Sequence, residues 1–199
     1  ISVLFLLIFY THSSIAYQEA PMLSKLVKQG KLPPVDQRLP DNPLVETPVS
    51  EIGKYGDKLV LGTAFFLDDE RLPSRVDRNG FFQFTYPFPS EGPIRPNLAE
   101  SWSWNSDGTE LKIKLRKGIK WSDGEPFTVD DVIFFMEDIV DDKNVAYIWF
   151  YEGNFYEVSG NFPKVTKIDD FNLKINYKDK AFLFEKKYSN VVWAALPKH

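Results

Sequence analysis

"WSDGEPFTVDDV", Trp121–Val132, sets four carboxylates in twelve residues beside a glycine, a proline and a tryptophan. Asp123-Gly124 is a turn dipeptide, because glycine takes the positive φ such a turn demands and the aspartate can bond its own downstream backbone. Pro126 keeps Glu125 extended. Thr128 then stands as an N-cap and Val129 opens a helix, with Asp130 and Asp131 in the first turn, where negative charge meets the positive end of the helix dipole. Asp131 occupies the capping-box position three residues after the threonine. Val132, Ile133, Phe135, Met136 and Ile139 follow at a spacing that makes one apolar helix face. Three of the four carboxylates thus have local structural work. An EF-hand loop would need oxygen ligands at alternate positions, a glycine sixth and a glutamate twelfth, and the stretch fails after its first residue. A glycosidase pair could be drawn from any two carboxylates, but sequence does not fix their separation.

Hairpins flank this corner. Upstream, "ELKIKLRKGIKW" alternates Leu111, Ile113 and Leu115 with Lys112, Lys114 and Arg116, the pattern of a half-buried strand with a polar face. Asn105-Ser106-Asp107-Gly108 turns it back onto "SWSW", whose Trp102 and Trp104 share one face. Downstream, "KVTKIDDFNLKINYK" predicts a second hairpin, with Val165 and Ile168 before a turn at Asp169-Asp170, then Leu173, Ile175 and Tyr177. Earlier, "DKLVLGTAFFL" reads as a strand covered on both faces, and "FFQFTYPF" as another ended by Pro87 and Pro89. Between Ala20 and Val49, Met22–Gln29 predicts a short amphipathic helix stopped by Gly30, with Leu23, Leu26 and Val27 on one side. Pro33, Pro34, Pro40, Pro43 and Pro48 then favour an extended arm or linker.

Composition removes several classes of function. The chain has 199 residues, 43% of them hydrophobic and 26% charged, inside the globular range. A net charge of −4 and the lack of any Lys/Arg run give no footprint for nucleic acid. No cysteine is present, so disulfides, thiolate metal sites, a cysteine nucleophile and a lipid-modified cysteine are impossible. The two histidines are His12 and His199, neither placed to complete a general-base or zinc site. Gly53 and Gly56 lack a phosphate-loop pattern, and the serines at 90, 101 and 106 lack a nucleophile elbow. Neither metal nor cofactor is expected. Phe, Tyr and Trp make 16% of the chain, which suits an aromatic β core and equally a ligand groove.

The ends carry their own signals. Ile1–Tyr10 is apolar over about half of the ~20 residues a membrane span needs, and Ser14-Ile15-Ala16 supplies the small residues of a cleavage site. Residues 1–16 read as the remnant of a secretory signal peptide, with a buried strand or helix as the alternative. The sequence is expected to be truncated at both ends, since no initiator Met precedes Ile1 and Pro197-Lys198-His199 closes without a capped helix or polar tail.

The stretch "RPNLAESWSWNSDGTELKIKLRKGIKWSDGEPFTVDDVIFFMEDI", Arg95–Ile139, closely resembles the signature region of the family 5 extracellular solute-binding proteins, the oligopeptide, dipeptide and nickel receptors of ABC importers. The resemblance rests on Pro96, Leu98 to Trp102, Arg116-Lys117-Gly118, Trp121 to Gly124 and Pro126-Phe127-Thr128, and reaches roughly from Tyr55 to His199. It implies an α/β fold, a two-lobed type II periplasmic-binding-protein-like receptor that hinges shut on its ligand. Such members are much longer, so residues 55–199 are expected to form only part of the N-terminal lobe, with 17–54 as a proline-rich extension. In the family the first strand and the segment after the signature helix border the cleft. Here these are Gly62–Asp69 and Asn144–Tyr156, and Thr63, Phe65, Phe66, Tyr147, Trp149 and Tyr151 are the candidate ligand contacts; the rings could instead fill a subdomain interface.

The function so implied is a monomeric periplasmic receptor that captures oligopeptides and delivers them to an ABC permease without catalysis. An oligosaccharide ligand is the alternative. A rival from another class is a secreted carbohydrate-active enzyme using Asp68 with Glu70 or Asp123 with Glu125; a further one is an inert product of a broken gene.

Overall fold

Alternation decides the sheet: Leu111, Ile113 and Leu115 are buried, while Lys112 and Lys114 between them are exposed. The structure, a computed structural model, describes residues 17–48, 50–56, 80, 82–84, 93–140, 158–184 and 195–199. In chain order the elements are α1 (Pro21–Lys28), α2 (Val35–Arg38), β1 (Phe82–Phe84), β2 (Ile94–Pro96), β3 (Ala99–Trp104), β4 (Glu110–Leu115), α3 (Val129–Ile133), a π-helical segment (Phe134–Val140), β5 (Lys164–Lys167) and β6 (Asn172–Asn176). The chain divides into two compact units, Ile1–Arg38 with Ile52–Leu59, and Leu39–Glu51 with Val60–His199.

In the second unit, β3-β4-β6-β5 make a four-stranded antiparallel sheet, and β1 pairs with β2 separately. Both expected hairpins form. The register lines Trp104, Leu111, Ile175 and Val165 across the strands in one row, and Trp102, Ile113 and Leu173 in the next. Side chains aligned across strands in this way stabilise a sheet pairwise. Onto this face pack Val129, Val132, Phe135 and Met136, with Phe82, Phe127, Tyr177 and Phe184 completing the core. Each such side chain taken fully out of water contributes about 1.5–3 kcal/mol. The opposite face is polar, with Lys114 2.8 Å from Glu100 and Lys174 3.2 Å from Glu110. The β3–β4 register shifts between Ala99 and Ser101.

Four expectations change, and one strand is added. Arg116 is buried, 6% exposed, because β4 ends at Leu115 and the alternation does not carry past it. Ile168 is 54% exposed, since it already belongs to the turn. The helix after Thr128 is α-helical only to Ile133 and continues with π geometry, whose wider turn still buries Phe135 and Met136. Within the proline-rich stretch, Val35–Arg38 forms a helical turn, with Gln37 N–H donating to Pro34 O at 3.0 Å. The short strand β2, ending in Pro96, carried no alternation to announce it. The strand expected over "DKLVLGTAFFL" and the signal-peptide reading of residues 1–16 lie outside the described residues.

In the first unit α1 ends as expected. Gly30 takes φ +67, Lys31 N–H donates to Leu26 O and Gly30 N–H to Val27 O, at 2.9 and 3.0 Å. This is the paired closure of a Schellman motif. Arg38 grips Glu19 through both carboxylate oxygens at 2.5 and 2.6 Å.

Gly118 has φ +84, and a Cβ there would stand 2.8 Å from Asp41 Oδ1, 3.0 Å from Asp41 N and 3.2 Å from Pro40 Cα. Gly124 has φ +100 with open space around it. Gly118→Ala is therefore expected to cost about 2–4 kcal/mol in urea denaturation, from steric conflict added to left-handed backbone strain. Gly124→Ala should cost only about 1–2 kcal/mol, from the backbone alone. Equal losses would show that the arm does not press on Gly118.

Candidate functional site

The corner opened by Trp121 is built from backbone and carboxylate contacts. Trp121 N–H donates to Glu125 O at 2.8 Å, Gly124 N–H to Trp121 O at 3.0 Å, and Phe127 N–H to Ile119 O at 2.9 Å, closing a narrow loop. Asp123 Oδ1 accepts from Glu125 N–H at 3.1 Å, the local bond an aspartate turn favours. The rings of Trp121 and Phe127 meet edge-on at 5.6 Å.

From this loop α3 starts with a full capping box. Thr128 Oγ1 accepts from Asp130 N–H at 3.3 Å, and Asp131 Oδ2 accepts from Thr128 N–H at 2.8 Å. Asp131 is only 4% exposed, and its other oxygen, Oδ1, accepts from Lys198 N–H at 3.0 Å. Val129 N–H donates to Asp170 O at 2.9 Å, and Lys167 Nζ lies 2.7 Å from Asp130 and 2.8 Å from Asp170. The helix start is thus tied to the β5–β6 turn on one side and to residues 195–199 on the other. That return was not foreseen: His199 Nε2 sits 2.8 Å from Asp123 Oδ2. The Asp123 bond holds the His199 imidazole above its ordinary pKa, and the same bond, helped by the Glu125 N–H, draws the Asp123 carboxyl below its own.

A second cluster ties residues 41–46 to the motif. The Arg116 guanidinium donates through Nε to Asn97 O at 3.1 Å and through Nη1 to Asn42 O. Asp41 N–H donates to Lys117 O at 3.0 Å, Asn42 Nδ2 to Glu100 at 3.0 Å, and Arg95 Nη1 lies 2.5 Å from Glu46. The Lys114 hydrogen bond, with that of Asn42, holds the Glu100 carboxyl below its usual range.

Two hollows adjoin these clusters. One of about 300 Å³ is lined by Glu125, Thr128, Asp131, Lys198 and His199, and one of about 450 Å³ by Asp41, Asn42, Glu100, Lys114, Lys117 and Phe171 among others. Several of their polar groups are engaged: Asp131 by two backbone N–H groups, Glu100 by Lys114 and Asn42, while the Lys117 ammonium stands 5.7 Å over the Phe171 ring. Among the described residues no group of three or more His, Cys, Asp or Glu could hold a metal ion. Asp123 and Asp131 have separate hydrogen-bond partners, Glu125 N–H and His199 for the first and the N–H groups of Thr128 and Lys198 for the second. The bonds of Asp123, Asp130 and Asp131 tie the corner to the helix start, the β5–β6 turn and residues 195–199. Thr63, Phe65, Phe66, Tyr147, Trp149 and Tyr151, and the Asp68–Glu70 pair, lie outside the described residues. No helix among the described residues is long and apolar enough to cross a membrane.

Comparison with known proteins places this geometry. The model of "Bacterial extracellular solute-binding proteins, family 5 Middle" matches residues 93–198. The periplasmic alpha-galactoside-binding protein of Rhizobium meliloti (strain 1021) is 34% identical over 171 residues, 78% of this chain and 24% of that protein. A solved oligopeptide-binding protein OppA matches with TM-score 0.67 at 35% identity, covering 85% of this chain and 25% of the other. The periplasmic binding protein MelB of Agrobacterium fabrum C58, solved in complex with stachyose, matches with TM-score 0.58 at 30% identity over 83% of this chain and 26% of its own. The chain spans about a quarter of the length of each of these relatives.

If Asp131 is an architectural clamp, Asp131→Ala should lower stability by about 2–4 kcal/mol, through the lost cap and two stranded N–H groups. Asp130→Ala, which removes only a half-exposed ion pair, should change it by at most about 1 kcal/mol. Comparable effects of the two would sink the clamp. The His199–Asp123 contact gives a pH signature. A raised His199 pKa contributes stability below about pH 6.5, the unfolded value, and that contribution is lost as pH rises through the folded value. In an NMR titration the His199 imidazole midpoint should exceed 6.5 and fall toward the ordinary value in Asp123→Asn.

Proposed function

We propose, from the premise that this chain belongs to the bacterial extracellular solute-binding proteins of family 5, that it is part of the substrate-binding subunit of an ABC importer. Its fold is part of the two-lobed α/β architecture of those receptors. In this reading the whole protein is periplasmic and monomeric and performs no reaction. It closes on a solute between its lobes and carries it to a membrane permease. Closure follows from contacts that exist only in the closed state, because a ligand shifts a conformational equilibrium only by its difference in affinity for the two forms. The observation that carries the reading is the family match over residues 93–198, realised as two hairpins joined through the capped start of α3.

The solute is proposed to be an oligopeptide, in keeping with the likeness to OppA. A second reading, an α-galactoside oligosaccharide, is favoured by the 171-residue likeness to the Rhizobium meliloti protein and by the stachyose complex of MelB. Tyr147, Trp149 and Tyr151 suit either, since a ring can stack on a sugar face or a peptide side chain. With Thr63, Phe65 and Phe66 they form the proposed contact set. Residues 17–54 are assigned to an extension and 55–199 to part of the N-terminal lobe.

Calorimetric titration of the full-length protein with stachyose and with short oligopeptides discriminates the readings. Saturable binding of one class, with the solute recovered intact, is expected, and the class that binds identifies the cargo. Turnover of either would overturn the receptor. Trp149→Ala or Tyr151→Ala should weaken binding at least about fivefold, the loss that marks a contact of consequence; unchanged affinity in both would remove the loop from the cleft.

A further inference from the structure

Charge is unevenly spread along this chain. Residues 17–38 carry Lys25, Lys28, Lys31 and Arg38 against Glu19 and Asp36, a net charge of +2, whereas the whole chain stands at −4. Arg38 is neutralised by Glu19 at 2.5 Å. Lys25, Lys28 and Lys31 form no ion pair among the described residues. No acidic side chain lies between Ala20 and Val35 to screen them.

Lys25 borders an apolar stripe, Lys28 stands across the helix from it and Lys31 follows just past the helix end. At about 100° per residue, Met22, Leu26, Leu23 and Val27 of α1 share one arc, and Ser24, Lys28, Lys25 and Gln29 the other. Leu23 and Val27 are half-buried, but Met22 and Leu26, on the side of the arc next to Lys25, are 49% and 39% exposed, and no residue of α1 is buried. In the same unit Ile52 and Tyr55 are exposed with Lys54 between them. Protruding apolar groups edged by lysines are the pattern of a helix lying in a membrane interface. Lysine ammoniums on flexible stems suit the diffuse charge of a lipid surface, where a protein partner's carboxylates would favour the bidentate fork of arginine.

We propose that α1 is an interfacial contact for anionic phospholipid, seating Met22 and Leu26 at the headgroup boundary with Lys25 beside them at the phosphates and Lys28 and Lys31 adding to the positive field. Its use rests on the importer reading: a receptor held weakly at the membrane searches for its permease in two dimensions. The contact is reversible, since one short helix cannot anchor a protein.

Co-sedimentation of the full-length protein with vesicles tests it. Vesicles of equal parts phosphatidylglycerol and phosphatidylcholine should bind the protein at low salt, pure phosphatidylcholine should not, and added salt should release it. K25E/K28E should weaken binding at least about tenfold, and M22S/L26S several-fold, with both variants melting as the wild type does. No binding, equal binding to neutral vesicles, or variants that bind like the wild type would overturn the proposal. So would recovery of an acidic protein on α1 in place of lipid. Calorimetry with stachyose and oligopeptides, run on the same preparations, is the separate readout: its failure would sink the importer reading and leave the vesicle result standing.

Discussion

The second unit depends on one carboxylate kept from water. Asp131 would be costly to bury as a bare charge, but both its oxygens accept backbone N–H groups and it faces the positive end of α3. One partner is Thr128, three residues back; the other is Lys198, sixty-seven residues on. A single side chain therefore starts the helix and fixes where residues 195–199 return. Around it, Val129 N–H meets Asp170 O and Lys167 joins Asp130 to Asp170, so the β5–β6 turn is held at the same corner. The acid-rich stretch is dense because three segments meet there.

Prolines explain how the arm is held. Pro40, Pro43 and Pro48 have no N–H to offer a sheet, so the segment from Asp41 to Glu46 attaches by what it retains: the N–H of Asp41, the carbonyl and amide of Asn42, and the carboxylate of Glu46. Arg116 reaches the Asn42 carbonyl from a buried position, and Gly118 leaves the space into which Asp41 fits. The family match covers residues 93–198, so this arm adds contacts that lie N-terminal to the matched region.

What the sequence made legible was local. The Asp-Gly turn, the Thr128 cap with its Asp131 reply, both hairpins and the Gly30 stop follow from bonds spanning a few residues, and each is present. What was not legible depended on distant chain. Arg116 was assigned to solvent because alternation was carried one residue past the strand, and only the Asn42 and Asn97 carbonyls explain its burial. The contacts of Lys198 and His199 with the corner have no local signature at all. The π geometry from Phe134 leaves the apolar spacing almost unchanged, so periodicity could not distinguish it from an α-helix. The proposed ligand contacts came from family resemblance alone, since aromatic residues in a sequence have no pattern that separates a cleft from a core.

The four-stranded sheet has two lateral margins. At β5, Lys164 is exposed beside the buried Val165 while Lys167 is paired with Asp130 and Asp170, and at β3 the pairing slips between Ala99 and Ser101 with Glu100 at the irregular point. A passing extended chain would meet the Lys164 ammonium on one margin and a strand bent by its irregular pairing on the other. Among the described residues, neither margin of the sheet offers a flat, neutral template, which disfavours edge-to-edge pairing with a neighbouring copy.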